Sequence, residues 1–296
     1  MATPPPWADA PPWGFPLVAL AGTCFAVNST LARVAYDAGS DALTVNTVRA
    51  CAAVVIVFLV FRLMRVRLRL PLRTRLWALG LGAITAGYSY ALFKAIEYIP
   101  VALAVLIFYT YPFIVAVASW LLGRERPTWG TAGALIVAFV GLSFALDIGQ
   151  GGLDPLGVFY AALTALGFGA IILVQPYVTA GQDSRAVTMH MLATTLVLFV
   201  AASLLLGHLA LPKDATGGLA LAGVVGFYCF AFVSFYIGLS RIGPIATSLA
   251  MNFEPVASVV LGHFLLGQHL RPGQLMGAGL VVAAILASRL LSSRQR

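Results

Sequence analysis

The feature that most limits how this chain can fold is a series of ten apolar runs separated by short connections. A transmembrane helix needs about 20 predominantly apolar residues, because each residue adds about 1.5 Å along the helix axis. Only 9% of the 296 residues are charged, whereas a soluble domain carries about 25%. The sequence therefore predicts an all-α polytopic membrane protein with ten transmembrane helices.

Charged residues, prolines and glycines mark the limits of the predicted spans. The spans are residues 14–35, 43–61, 76–96, 101–122, 128–146, 156–178, 187–206, 219–239, 245–266 and 274–291. Residues 1–13 form a lead-in rich in Pro and Trp that lacks the basic region of a secretory signal. The three cysteines all fall inside apolar runs, which argues against a disulfide framework or a cysteine-based zinc site.

Lys and Arg are distributed unevenly among the connections. With both termini in the cytoplasm, 13 of these residues lie on the cytoplasmic side and 4 lie at the outer side. Cytoplasmic loops are enriched in Lys and Arg, so an N-in and C-in orientation in the bacterial inner membrane is predicted. The Arg-rich connection at residues 62–75 lacks interleaved aromatic residues, so no nucleic acid partner is expected.

An internal repeat divides the chain into two halves. Residues 98–112 resemble residues 241–255 at a fixed offset of 143, and Gly133 matches Gly277 after one inserted residue. We therefore predict two five-helix units, residues 14–147 and 154–291. Because five is odd, the second unit enters the membrane from the opposite side. This gives inverted repeats, which are typical of secondary transporters.

Two prolines lie at matched positions near the middle of spans four and nine. Pro112 and Pro255 each remove a backbone N–H and crowd the carbonyl four residues earlier. The carbonyls of Phe108 and Met251 are therefore predicted to be freed near the bilayer midplane. Matched helix interruptions indicate a substrate site, although a kink repaired by neighbouring helices is the alternative.

These features resemble a known family. Both halves combine a proline, a Leu-Leu-Gly turn and a Gly-rich last helix, and Phe253 to Gly279 is the clearer copy. The pattern is similar to that of the EamA-type drug/metabolite transporter superfamily over essentially the whole chain. The aromatic segment Phe108 to Phe113 resembles YddG-type exporters, and this resemblance implies efflux of aromatic amino acids and related metabolites. Gln268 and His269 stand where many members of the superfamily place an acidic residue.

Ionisable side chains inside a span cost free energy and are candidates for function. Glu254, beside Pro255, is the one carboxylate near the middle of a span. We consider two roles for it: a proton carrier or a structural hydrogen-bond lock. Arg49 either pairs with Glu254 or a substrate carboxylate, or satisfies helix-end carbonyls. His190 either lines the pathway or packs between helices.

Uncharged polar and aromatic side chains complete the predicted pathway. They supply hydrogen bonds and stacking surfaces, with interhelical packing as the alternative for each. These candidates are Asn28, Tyr88, Tyr90, Phe93, Phe108, Tyr109, Tyr111, Phe168, Gln175, His190, Tyr228, Phe232 and Asn252. Six glycines are predicted to allow close helix approach, namely Gly80, Gly82, Gly130, Gly133, Gly277 and Gly279.

The sequence contains no constellation that would suit an enzyme. It has no HExxH or GxSxG motif and no pair of acids on one helical face. We therefore predict a transporter without a metal or other cofactor that exports aromatic and other neutral amino acids by alternating access. Its expected partners are a small-molecule substrate and membrane lipid, and we expect a monomer. Transport of another metabolite or drug, import, or a non-transporting scaffold are the alternatives.

Overall fold

The computed structural model describes residues 11–99, 101–124, 126–146, 154–207, 209–266 and 271–293. Within these ranges the regular structure is helical. The helices are α1 (Gly14–Asp37), α2 (Ala42–Leu63), α3 (Leu72–Tyr98), α4 (Val101–Phe108), α5 (Tyr111–Leu121), α6 (Trp129–Ala145), α7 (Pro155–Val178), α8 (Ser184–Leu206), α9 (Ala215–Ala250), α10 (Phe253–Leu266) and α11 (Pro272–Ser293).

Six segments of the described chain are long and apolar enough to cross a membrane. They are α1, α2, the combined segment Leu103–Leu121, α7, α8 and α9, and shorter apolar helices lie at Trp129–Ala145 and Pro272–Ile285. An all-helical polytopic membrane protein is therefore confirmed. The count of ten spans and their orientation stay predictions.

Aspartate side chains begin four of the helices. The Asp41 carboxylate accepts a hydrogen bond from the Thr44 amide at 2.7 Å. Asp154, Asp183 and Asp214 cap α7, α8 and α9 in the same way. Such caps satisfy amides that have no partner inside the helix. These four acids therefore have a structural role at the ends of the helices.

The helical backbone is interrupted at three places, two of them within predicted spans four and nine and one between predicted spans eight and nine. The first separates α4 from α5 at Tyr109 and Thr110, and the second separates α9 from α10 at Met251 and Asn252. The third lies inside α9 at Gly243, which adopts φ 77° and ψ 175° and precedes Pro244. Only a residue without a Cβ adopts this conformation readily, so Gly243 serves as the turn between predicted spans eight and nine.

The helices contact one another in matched pairs. Helix α1 of the first half packs on α9 of the second, and correspondingly α7 of the second half packs on α3 of the first. Helix α3 likewise packs on α8, as α9 packs on α2. Two further contacts, between α2 and α8 and between α6 and α11, join equivalent helices directly. Equivalent helices of the two halves thus make equivalent contacts. The inverted orientation of the second half stays a prediction.

Close helix contacts depend on two of the predicted small residues. A Cβ at Gly82 would lie 2.5 Å from the Met191 carbonyl oxygen, and a Cβ at Gly277 would overlap the backbone of Gly141. In contrast, a Cβ at Gly80, Gly133 or Gly279 would meet no atom within 4 Å. The packing prediction is wrong for these last three glycines, because their faces point away from neighbouring helices.

Candidate functional site

The two helix interruptions lie against each other in the middle of the bundle. Tyr109, at the break between α4 and α5, donates a hydrogen bond from its hydroxyl to Oε2 of Glu254 at 3.1 Å. Glu254 lies in the first turn of α10, directly after the break that follows α9. Pro112 and Pro255 are both buried. The two prolines predicted to mark the site thus lie in the first turns of the half-helices α5 and α10.

The local hydrogen bonding differs from the sequence prediction at Met251. The carbonyl of Met251 accepts a hydrogen bond from the Glu254 amide at 3.0 Å, so it is not freed by Pro255. The side-chain amide of Asn252, a residue predicted to line the pathway, donates to the carbonyls of Ser248 at 3.0 Å and Leu249 at 3.2 Å. The prediction that Pro255 frees the Met251 carbonyl was wrong, because the chain forms a turn at the break and the Glu254 amide within that turn binds the carbonyl.

The contact between the two breaks has a counterpart in the other half. Applying the offset of 143 residues converts the pair Tyr109 and Glu254 into Asn252 and Tyr111. These two residues meet at one acceptor, the Ser248 carbonyl, which lies 3.5 Å from the Tyr111 hydroxyl and 3.0 Å from the Asn252 side-chain nitrogen. The two halves therefore make equivalent contacts with different chemistry, since only one of them includes a carboxylate.

Aromatic rings form a continuous cluster beside this contact. Successive ring centroids lie 4.8–6.3 Å apart, which is the usual range for interacting rings. We call this group the ring cluster. Its members are Phe25, Tyr88, Phe108, Tyr109, Tyr111, Phe168, Tyr228, Phe232, Phe235 and Tyr236.

A cation lies against a different ring of the ring cluster. The guanidinium carbon of Arg49 on α2 is 4.3 Å from the centre of the Tyr228 ring. A cation held over an aromatic face at this distance is stabilised by the ring quadrupole. Glu254, at the Tyr109 edge, and Arg49, at the Tyr228 edge, thus place opposite formal charges at two sides of one aromatic surface.

The structure brings together most of the aromatic residues predicted for the pathway, but not all of them. Tyr90 is 49% exposed and is not a member of the ring cluster. The side chain of Phe93 lies outside the described residues, as do Gln268 and His269. Three members of the ring cluster were missed, namely Phe25, Phe235 and Tyr236. Helical spacing could have indicated two of them. Phe25 precedes Asn28 by three residues and Phe235 follows Tyr228 by seven, so each shares a helix face with a predicted pathway residue.

The remaining polar candidates lie at three separate places. Asn28 is buried against α9, and its amide nitrogen donates to the Val224 carbonyl at 3.2 Å when the amide is oriented to satisfy both of its ends. Gln175 is fully buried two turns along α7 from Phe168, and neither side-chain atom has a hydrogen-bond partner among the described residues. His190 lies on α8 apart from the ring cluster, where its Nδ1 is 2.8 Å from the Ala186 carbonyl oxygen.

The chemistry available at the ring cluster is that of binding. Within the described residues, no group of three or more His, Cys, Asp or Glu side chains is placed to hold a metal ion. Hydroxyl donors, one carboxylate and one guanidinium surround rings that can stack on a ligand. The arrangement suits recognition of a small molecule that carries both charges.

The chain is similar in sequence to known transporters. The chain is 30% identical over 234 residues to the threonine/homoserine exporter RhtA of Escherichia coli strain K12. The aligned region covers 76% of this chain and 74% of that protein. The RhtA of Salmonella typhimurium strain LT2 is also 30% identical, over 77% of this chain and 76% of its own length. An uncharacterized transporter of Bacillus subtilis, YwfM, is 25% identical over 62% of this chain and 63% of its own.

The fold also occurs in a protein of known crystal structure. That chain superposes with a TM-score of 0.78 at 20% sequence identity, and the match covers 94% of this chain and 96% of the other. The EamA-like transporter family matches the sequence in two copies, over residues 12–146 and 155–290. Together with the apolar helices, these matches identify a multi-pass protein of the bacterial inner membrane, and the chain belongs to the EamA-like transporter family.

Proposed function

We propose that this protein exports neutral amino acids by alternating access and that the ring cluster is its substrate site. The observation that carries the proposal is the placement of Arg49 at one edge of the ring cluster and Glu254 at another. An amino acid is a zwitterion, so it presents a carboxylate and an ammonium group together. A site for it needs a cation, an anion and a surface for the side chain between them.

Arg49 is assigned to the substrate carboxylate. A guanidinium binds carboxylates through parallel N–H donors, and such charge-assisted hydrogen bonds are among the strongest in proteins. Its position over Tyr228 at 4.3 Å holds the guanidinium at the ring face, and no carboxylate of the described residues forms an ion pair with it. In the described part of the second half, Arg185 lies at the start of α8 and Arg241 lies two residues before the Gly243 break in α9. Their distance from the ring cluster disfavours a phosphorylated substrate, which would need several cations at the site.

Glu254 is assigned to the substrate ammonium group or to a proton that replaces it. The Tyr109 hydroxyl orients this carboxylate at the helix break, and titratable groups at such breaks are typical of ion-coupled transporters. Exchange of the ammonium group for a proton would couple export to the proton gradient. A hydrogen-bond lock that only holds α4 against α10 is the alternative.

The side-chain preference is argued from two observations that favour different substrates. Ten clustered rings favour amino acids with aromatic side chains, because a further stacked ring contributes about 0.5–1.5 kcal/mol beyond its buried area. The relatives that carry a substrate in their names are threonine/homoserine exporters. We propose aromatic and other neutral amino acids as substrates, with threonine and homoserine as the second candidates.

Transport by purified protein in proteoliposomes tests the proposal. We expect counterflow of phenylalanine, tryptophan and threonine, and poor transport of the corresponding amines, which lack a carboxylate. In Arg49→Gln the KM for the amino acids should rise by about tenfold or more, since a hydrogen bond to a charged group contributes about 1.5–3 kcal/mol. The KM for the amines should change little. Equal loss for both ligand classes would assign Arg49 to packing, and absence of any amino acid transport would overturn the proposed function.

A further inference from the structure

A second candidate site lies outside the ring cluster, where α2 ends beside the start of α8. An open cavity of about 1140 Å³ is found there. Its walls come from the end of α2, from the connection that follows it and from one face of α8. Its lining includes four arginines, Arg62, Arg65, Arg67 and Arg69. The apolar side chains Phe58, Leu68 and Met189 complete much of the remaining wall.

In the connection after α2, arginines alternate strictly with apolar residues from position 65 to position 70. Val66, Leu68 and Leu70 are half-buried and pack against the hydrophobic core, while the arginines between them are exposed. Alternation with a period of two is the pattern of extended chain, in which successive side chains point to opposite sides. The apolar residues thus anchor the connection, and Arg65, Arg67 and Arg69 are presented together.

Arg65 adopts a backbone conformation that an arginine rarely takes. It closes a helix-ending motif in which the Val66 amide donates to the Phe61 carbonyl at 2.8 Å, and its φ is 53°. Two other helices end in the same motif, and both use glycine at this position, Gly39 with φ 96° and Gly123 with φ 65°. Glycine adopts this conformation without strain. An arginine held there indicates a role for its side chain.

The four guanidinium groups have no counter-charge among the residues that the structure describes. Within the described part of the chain, none of their side chains forms an ion pair or a side-chain hydrogen bond. Arg185, beside a second cavity, contrasts with them because it binds Asp183 at 2.7 Å. That ion pair also holds the pKa of the Asp183 carboxyl below its usual range. The first cavity therefore concentrates positive charge that nothing in the described protein neutralises.

The cavity has a charged part and an apolar part, which match the headgroup and the acyl chains of a phospholipid. Its arginines lie at the level where α2 ends, and its apolar wall continues into exposed side chains of α2 that include Phe58, Leu59 and Leu63. A lipid phosphate is placed at the end of a spanning helix, with acyl chains alongside the helix. A small soluble anion such as phosphate would gain nothing from contact with the apolar wall, because it has no apolar surface to bury.

We propose that the cavity between α2 and α8 binds the headgroup of an anionic phospholipid, with its phosphate on Arg65, Arg67 and Arg69 and an acyl chain along Phe58. Because α2 and α8 belong to different halves of the chain, the bound lipid bridges the two repeats. The proposal does not depend on which substrate the protein transports.

Lipid retention by the purified full-length protein tests this assignment. Native mass spectrometry would compare dioleoylphosphatidylglycerol with dioleoylphosphatidylcholine, and we expect selective retention of the anionic lipid. The variant Arg67→Gln/Arg69→Gln should weaken retention by about tenfold or more. Arg73→Gln/Arg75→Gln is the matched control, since it removes the same charge from exposed positions outside the cavity lining, and it should change retention by less than about twofold.

Arg65→Gly separates binding from folding. It removes one guanidinium and relaxes the left-handed backbone, so retention should fall while the melting temperature in detergent stays equal or rises. Equal weakening by the two double variants would overturn the proposal in favour of general surface charge. Equal retention of both lipids would overturn it too, as would displacement of the lipid by millimolar inorganic phosphate, which would indicate a soluble-anion pocket.

Discussion

The hydroxyl of Tyr109 and the carboxylate of Glu254 are joined by a hydrogen bond of 3.1 Å, so a single contact links the helix break of the first half to that of the second. The equivalent residues Asn252 and Tyr111 meet at the Ser248 carbonyl. One of these two related contacts includes a carboxylate and the other does not. A change in the protonation of Glu254 therefore acts on one side of an otherwise repeated arrangement.

The first prediction concerns Glu254. Glu254→Gln keeps the size of the side chain and an oxygen acceptor for the Tyr109 hydroxyl, but it cannot titrate. We expect normal expression, and proteoliposome transport that no longer responds to an imposed pH gradient. The measurement is the initial rate of amino acid efflux at several pH values on each side of the membrane.

Tyr109→Phe is the control for this variant. It removes the hydroxyl donor to Glu254 and leaves the carboxylate in place, so transport should remain dependent on pH. A Glu254→Gln protein whose rate falls modestly but still follows the pH gradient would contradict proton coupling at this residue. The contact would then be a lock between α4 and α10.

The second prediction concerns the ring cluster. Tyr111 is fully buried and its ring centroid is 4.8 Å from that of Phe168. Tyr111→Ala should reduce phenylalanine and tryptophan transport by up to about tenfold relative to threonine, which corresponds to 1.4 kcal/mol. Tyr111→Phe should restore most of that loss, because the ring carries the stacking.

Tyr90→Ala is the matched control for Tyr111→Ala. Both changes remove a tyrosine ring, but Tyr90 is 49% exposed and lies outside the ring cluster. We expect its transport rates to stay within about twofold of the original protein, since surface substitutions usually cost little. An equal loss for every substrate in Tyr111→Ala would assign Tyr111 to packing alone.

The third prediction concerns orientation. Cysteines introduced at Arg73 and Ser293, in a chain without Cys24, Cys51 and Cys229, should resist an impermeant thiol reagent in intact cells, because the Lys and Arg distribution places both in the cytoplasm. Lys213→Cys, at the opposite predicted side, should be labelled. Labelling of position 73 or 293 from outside would reverse the predicted topology.

The sequence was sufficient for features that depend on local composition. Apolar runs predicted α2 and α7 to within about two residues at each end, because lipid imposes apolar side chains on a whole span. Prolines likewise indicated the places where helices are interrupted. Local patterns did not distinguish Tyr88 in the ring cluster from Tyr90 outside it. In a membrane helix both faces are apolar, so periodicity does not show which face meets the bundle.

Contacts between residues far apart in the sequence could not be predicted either. Phe25 joins the ring cluster through Tyr228 and Phe235, about 200 residues away. Only the docking of α1 on α9 brings them together. The Arg49 and Tyr228 contact has the same origin, because it requires α2 and α9 to adopt their relative positions. The predicted freeing of the Met251 carbonyl failed because local turn geometry, rather than proline content, decides which carbonyls stay unpaired.

The last prediction tests the packing of α3 against α8 with two alanine substitutions on one helix. A Cβ at position 82 would lie 2.5 Å from the Met191 carbonyl oxygen and 2.7 Å from Cβ of Thr194, whereas a Cβ at position 80 would meet nothing within 4 Å. Gly82→Ala should destabilise the protein by about 1–3 kcal/mol through overpacking. Gly80→Ala should be neutral or stabilise it by up to about 1 kcal/mol, because alanine is the better helix former. Melting temperatures in detergent would measure both, and equal stability of the two variants would show that α3 and α8 do not approach as closely as the structure indicates.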